Sequence, residues 1–134
     1  MLDARAVRRV EAFDRARSRF GEAIAAWRAD GSDVFRDSML KRFEFTFELA
    51  WKVLGDWVRL HETDLRPYGP RQVFEAAHAR GLIDNPDEWT ALLKYRNRNV
   101  HIYDEGEIAH LAEEVVKLAP ALLDDLRARV ATHR

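Results

Sequence analysis

The chain has 134 residues, 47% of them hydrophobic and 34% charged, with a net charge of −1 and no Cys. That length supports one domain, 1–134, with a core of its own. The near-zero charge gives no global basic field, so DNA is not an expected partner. The lack of Cys excludes a disulfide scaffold, a thiolate metal site and a Cys nucleophile, and it fits a reducing cytoplasm. The opening stretch MLDARAVRRVEAFDRARSRF lacks the apolar core of a signal peptide. No apolar run approaches the ~20 residues that span a membrane. The expected location is therefore the cytoplasm, with no membrane partner.

Helix formers dominate and Gly and Pro are few, so the fold expected is all-α. The first segment runs from about Asp3 to Asp30, with Val10, Phe13, Phe20, Ile24 and Trp27 along one helical stripe. DGSD at 30–33 ends it, with Gly31 suited to the C-terminal cap and Ser32 or Asp33 to the next N-cap. The second segment, about Val34 to His61, carries a wide apolar face of Phe35, Met39, Phe43, Phe47, Ala50, Trp51, Leu54, Trp57 and Val58. A face that wide packs on two partners, which makes this the central helix. Gly55 inside it costs ~1 kcal/mol relative to Ala and marks a possible close helix crossing.

ETDLRPYGP, 62–70, reads as a loop. A short helix follows over 70–81, with Pro70 in its first turn and Gly81 beyond its end. Asp84 or Asn85 can cap the next helix, which starts at Pro86 and is expected to run to about Tyr103. The last helix spans about Glu105 to Ala131, with Asp104 and Glu105 as its cap and a stripe of Ile108, Leu111, Val115, Leu118, Leu122, Leu126 and Val130. Pro120 within it is expected to kink or split it. The whole reads as a single-domain bundle of about five helices around a four-helix up-and-down core. The Trp and Phe residues, mostly at helical spacing, read as core or interface.

The stretch YRNRNVHIYDE, 95–105, interrupts this pattern. On a helical wheel Trp89, Leu92, Leu93 and Val100 share one core-facing arc, and Arg96 lies inside it. Continuing the helix puts Tyr103 in the same arc and Asn97 and His101 on its flank. A buried guanidinium needs a partner. Three placements stay open for Arg96: an ion pair with Glu44 or Glu48, a subunit interface, or a groove left for an anion. Arg96 with His101 is also minimal equipment for metal-free phosphodiester cleavage, a fork of donors beside a group that titrates near neutral pH. Glu44 and Glu48, four residues apart, are expected to pair with Lys41, Lys52 or Arg96 rather than to hold a metal. The Glu-x-x-His spacing that a di-metal bundle also needs occurs at Glu75/His78 and Glu107/His110. Glu75 and His110 point off their apolar faces, so neither a metal nor a cofactor is expected.

RNRNVHIY, 96–103, resembles the Arg-x4-His-x-Tyr signature of HEPN domains. KRFEFTFELAWKVLGDW, 41–57, is similar to the central helix of their nucleotidyltransferase substrate-binding, HepT-like branch. GPRQVFEAAHARGLID, 69–84, and the spacing from Trp89 onward resemble the same branch, so the likeness covers about 10–125. The resemblance implies a homodimer in which the Arg-x4-His segments face each other across a cleft. It implies a toxin that cuts RNA without a metal, neutralised by an MntA-like minimal nucleotidyltransferase that transfers AMP to it. By position, Arg96 would stabilise the transition state, His101 would be the general acid/base, and Asn97 would orient the phosphate or the His. Tyr103 would be the AMP acceptor, and Asn99 would join Arg96 in contacting nucleotide or RNA. Arg98 departs from the family's pattern as a second cation inside the motif, one that either adds to the nucleotide or RNA contact or simply faces solvent. An alternative implied by the same branch is a non-catalytic subunit that presents a substrate or nucleotide to a nucleotidyltransferase.

Overall fold

The computed structural model describes residues 2–61 and 69–132. Five helices follow in chain order: α1 (Ala4–Asp30), α2 (Asp33–His61), α3 (Pro70–Ala79), α4 (Pro86–Asn99) and α5 (Glu105–Thr132). The expected loop at 62–70 lies, up to residue 68, outside the described residues.

Local chemistry explains the ends. Asp3 caps α1 by accepting from the Ala6 amide at 2.8 Å. Gly31 terminates it in the left-handed region at φ 73°, where a Cβ is disfavoured. Ser32 Oγ accepts from the Phe35 amide at the start of α2, so Ser32 rather than Asp33 is the cap. Asn85 caps α4 through the Asp87 amide at 3.0 Å, ahead of Pro86. Asp104 caps α5, its carboxylate accepting from the Glu107 amide at 2.9 Å.

α2 is the centre of the bundle, packing against α1, α3, α4 and α5. A chain of aromatic rings runs through the core. Phe20 of α1 meets Phe43 of α2, Phe43 meets Phe47, and Phe47 meets both Phe74 of α3 and Trp89 of α4, with centroids 6.0–6.5 Å apart. Tilted and edge-on rings at this separation suit the aromatic quadrupole. Where α1 and α2 meet, the fully buried Thr46 hydroxyl lies within hydrogen-bond reach of two carbonyls, Arg42 at 2.7 Å and Ala16 at 3.1 Å. That satisfies a polar group which burial alone would penalise.

Three expectations need correction. α5 is not split at Pro120: one helix is continuous through it. Ala119 and Leu123 on either side are fully buried, and that packing outweighs the local cost of the proline. Gly55 does not mark a crossing too close for a side chain. A Cβ there would meet Arg59 Nη1 at 3.8 Å and Val73 Cγ2 at 3.9 Å, ordinary contacts. Phe35, placed on the apolar face of α2, is instead exposed in its first turn.

Arg36, also in that first turn, is the one charged residue buried among the described residues. It lies 3.3 Å from Asp33, 2.9 Å from Asp37 and 2.9 Å from Glu105. The cation thereby ties the start of α2 to the start of α5. At the other end of α2, Arg9 reaches Asp56 at 2.8 Å.

Candidate functional site: a charged cleft between α2 and α4

α4 ends at Asn99, four residues short of the expected Tyr103. The local sequence accounts for this, since Asn97, Asn99 and the β-branched Val100 and Ile102 are weak helix formers. The His101 amide donates to the Arg98 carbonyl at 2.9 Å, a bond one residue tighter than the α pattern, as the chain leaves the helix. Extending the wheel past Asn99 therefore misplaces two residues. Tyr103 does not sit in the core arc but is 89% exposed, and Val100 is 55% exposed.

Up to Arg96 the wheel holds. Trp89, Leu92 and Leu93 are buried, and the Arg96 side chain is 29% exposed beside them. Its Nη2 lies 3.3 Å from Oε2 of Glu48, which is 37% exposed. Of the three placements open from sequence, the ion pair with α2 is present, and it lies at the edge of a cleft rather than in a closed core. The cleft, about 200 Å³, is lined by Glu44, Phe45, Glu48, Arg96 and Val100.

Two carboxylates one turn apart on α2 organise this face. Glu48 Oε2 also accepts from the Trp51 indole at 3.1 Å, and its other oxygen lies 3.4 Å from Lys52 Nζ. Glu44 accepts from the Asn99 side-chain amide at 3.0 Å and pairs with Lys41 at 3.2 Å. Both carboxylates thus take the partners expected of them. Asn99 is engaged with Glu44, so its amide is committed to holding the end of α4. The Arg96 Nε is buried and without a hydrogen-bond partner among the described residues.

Asn97, Arg98 and His101 are exposed at the same end of α4 and do not line the cleft. On the other side of α4, burial raises the Tyr95 phenol above its ordinary pKa, and a hydrogen bond to Glu114 adds to that. Tyr95 is therefore a neutral donor that braces α4 against α5. Among the described residues no group of His, Asp or Glu has a metal-holding arrangement. No described helix is long and apolar enough to cross a membrane.

One contributor was not singled out from sequence. Phe45 is 51% exposed, with the Lys41 ammonium 5.2 Å from its ring centroid. The signal was available: Phe45 lies between Phe43 and Phe47, so on a helix it must face the opposite way.

The sequence matches the nucleotidyltransferase substrate binding protein like family over residues 8–129, a span that includes both lining helices. The chain belongs to that family. A solved structure with the same fold is that of HI0074 from Haemophilus influenzae, described as revealing the fold of a substrate binding domain of a nucleotidyltransferase. It is 18% identical, with a TM-score of 0.82, and the match covers 91% of this chain and 98% of that one. No curated protein matches the sequence. Within the family's span, Arg96, Glu44 and Glu48 form a cleft whose cation is held from one side and open from the other.

Proposed function

We propose that this protein is the non-catalytic, substrate-binding subunit of a two-component nucleotidyltransferase, and that the α2–α4 cleft receives a phosphate-bearing part of the substrate. The observation that carries this reading is the Arg96 guanidinium, partly open to solvent at the cleft edge and held by a half-exposed carboxylate. A planar fork of donors suits a phosphate. Family membership supports a separate nucleotidyltransferase as the partner. The exposed side chains of Phe45 and Val100 beside Arg96 support a second copy of the chain covering this face, as in a homodimer.

A second reading draws on different residues. The exposure of His101 and Tyr103 favours a HepT-like toxin, a metal-independent ribonuclease neutralised by an MntA-like transferase. In that reading His101 is the general acid/base, Arg96 stabilises the phosphorane, Asn97 orients the phosphate and Arg98 contacts RNA. Tyr103 accepts AMP: its phenol oxygen attacks the α-phosphorus of ATP, pyrophosphate leaves, and the phenolic proton passes to solvent or a transferase base.

One set of incubations separates the two. The purified chain is held with total RNA in EDTA, and separately with its cognate transferase, ATP and Mg²⁺. The substrate-binding reading expects uncut RNA and nucleotidyl transfer that needs Arg96, lost in Arg96→Met while the two proteins still co-elute. Transfer that is unchanged in Arg96→Met sinks that reading. RNA cut by wild type and spared by His101→Ala establishes the second reading. An AMP mass gain that is absent in Tyr103→Phe assigns the acceptor.

A further inference from the structure

Glu48 is held in a way that leaves it able to let Arg96 go. Its Oε2 is shared between Arg96 Nη2 at 3.3 Å and the Trp51 indole at 3.1 Å, while Oε1 faces Lys52 Nζ at 3.4 Å. Losing Arg96 therefore leaves the carboxylate with two partners and with access to water. Arg96, for its part, has no hydrogen-bond partner for its buried Nε among the described residues, which leaves the guanidinium incompletely satisfied there. Partly exposed ion pairs of this kind are weak. A phosphate carries more charge than a carboxylate and more acceptor oxygens for the same fork. Glu44, one turn earlier, differs: it is bonded to Asn99 and Lys41 and does not pair with Arg96.

We propose that Glu48 is an internal competitor for the anion seat, a carboxylate that occupies Arg96 in the free protein and is displaced onto Trp51 and Lys52 when a phosphate monoester binds. This rests on the reading of the cleft as a phosphate site and deepens it, because it makes Glu48 the residue that sets the affinity threshold. Displacing Glu48 costs every anion the same free energy, so Glu48 lowers all of their affinities and only anions that seat strongly on Arg96 stay bound. The device needs no movement of the backbone. It requires only that the carboxylate have somewhere else to go, which the indole and the ammonium provide.

The test is a titration of the full chain with 5′-AMP and, in a parallel arm, inorganic phosphate. Binding is followed by calorimetry and by the Arg96 Nε–H signal in ¹⁵N spectra. Glu48→Gln keeps the shape and an oxygen for Trp51 but removes the competing charge, and it is expected to tighten AMP binding about fivefold. Glu48→Asp, a methylene shorter, should give a smaller gain. Glu44→Gln removes the same charge from the same cleft without touching Arg96 and should change affinity less than twofold. Equal gains from Glu44→Gln and Glu48→Gln, or no gain from Glu48→Gln while Arg96→Ala abolishes binding, overturn the competitor role and leave the phosphate site standing. Binding that survives Arg96→Ala overturns the phosphate site and the competitor with it. Tightening in the AMP arm alone assigns the threshold to the nucleotide, and tightening in both arms assigns it to the phosphate group. Either pattern supports the competition.

Discussion

Asp14 shows how far a single side chain can be followed from structure to measurement. It lies between Arg17 at 3.0 Å and Arg127 at 3.0 Å. Burial alone would raise its pKa, but the hydrogen bonds and charge of the two guanidinium groups outweigh this and hold it below the ordinary carboxylate range. A depressed folded-state pKa contributes stability above the unfolded value, ~3.9, and loses it as pH falls through the folded value. The side chain is 38% exposed, so solvent screening limits the effect. Asp14→Asn is expected to cost about 0.5–1 kcal/mol at neutral pH in urea unfolding, with the deficit vanishing below the ordinary aspartate range. A deficit that is flat with pH would mean the ion pairs are not its source. Asp56 has the opposite sign: burial raises it despite Arg9 and Arg59, so its contribution is lost as pH rises through the folded value. At this scale Arg96 was legible before the structure, because Trp89, Leu92 and Leu93 fix the register of its helix. Which carboxylate it meets was not legible, since Glu44 and Glu48 present the same chemistry one turn apart.

At the scale of the helices, two glycines separate conformational need from spatial need. Gly31 occupies the left-handed region, whereas Gly55 is an ordinary helical residue with room for a Cβ. Gly55→Ala is expected to stabilise the protein by up to ~1 kcal/mol through helix propensity alone. Gly31→Ala is expected to destabilise it by about 1–2 kcal/mol, since a Cβ is strained at that φ. Chemical denaturation of both variants checks the pair, and a loss of stability in Gly55→Ala would reveal packing at α2–α3 tighter than ordinary contact. Helix starts were readable from sequence because capping is a local interaction between a side chain and an amide two or three residues on. The end of α4 and the continuity of α5 were not. The first depends on where weak helix formers cease to be worth propagating. The second depends on burial around Pro120 that no local pattern reports.

For the whole molecule, the aromatic chain and the cleft make different demands. Phe47 joins α2 to both α3 and α4 and is fully buried. Phe47→Ala is expected to cost about 3–5 kcal/mol, enough to threaten folding of a domain this size. Phe45, two residues away, faces out of the fold, and its replacement should leave stability within about 0.5 kcal/mol. On the proposal that a second copy covers this face, Phe45→Glu is expected to give a monomer in light scattering that still unfolds cooperatively. A variant that remains dimeric would move the pairing surface away from the cleft.

Periodicity, capping residues and the length of each apolar stripe determined five helices, their order, the central place of α2 and the inward register of Arg96. All of these follow from neighbours within one or two turns. The tertiary structure alone decided that Val100 and Tyr103 stay in solvent and that Glu48 rather than Glu44 takes the guanidinium. Those outcomes depend on how the chain turns after α4 and how α4 lies along α2. Such distances between groups remote in sequence are set by packing across the whole bundle.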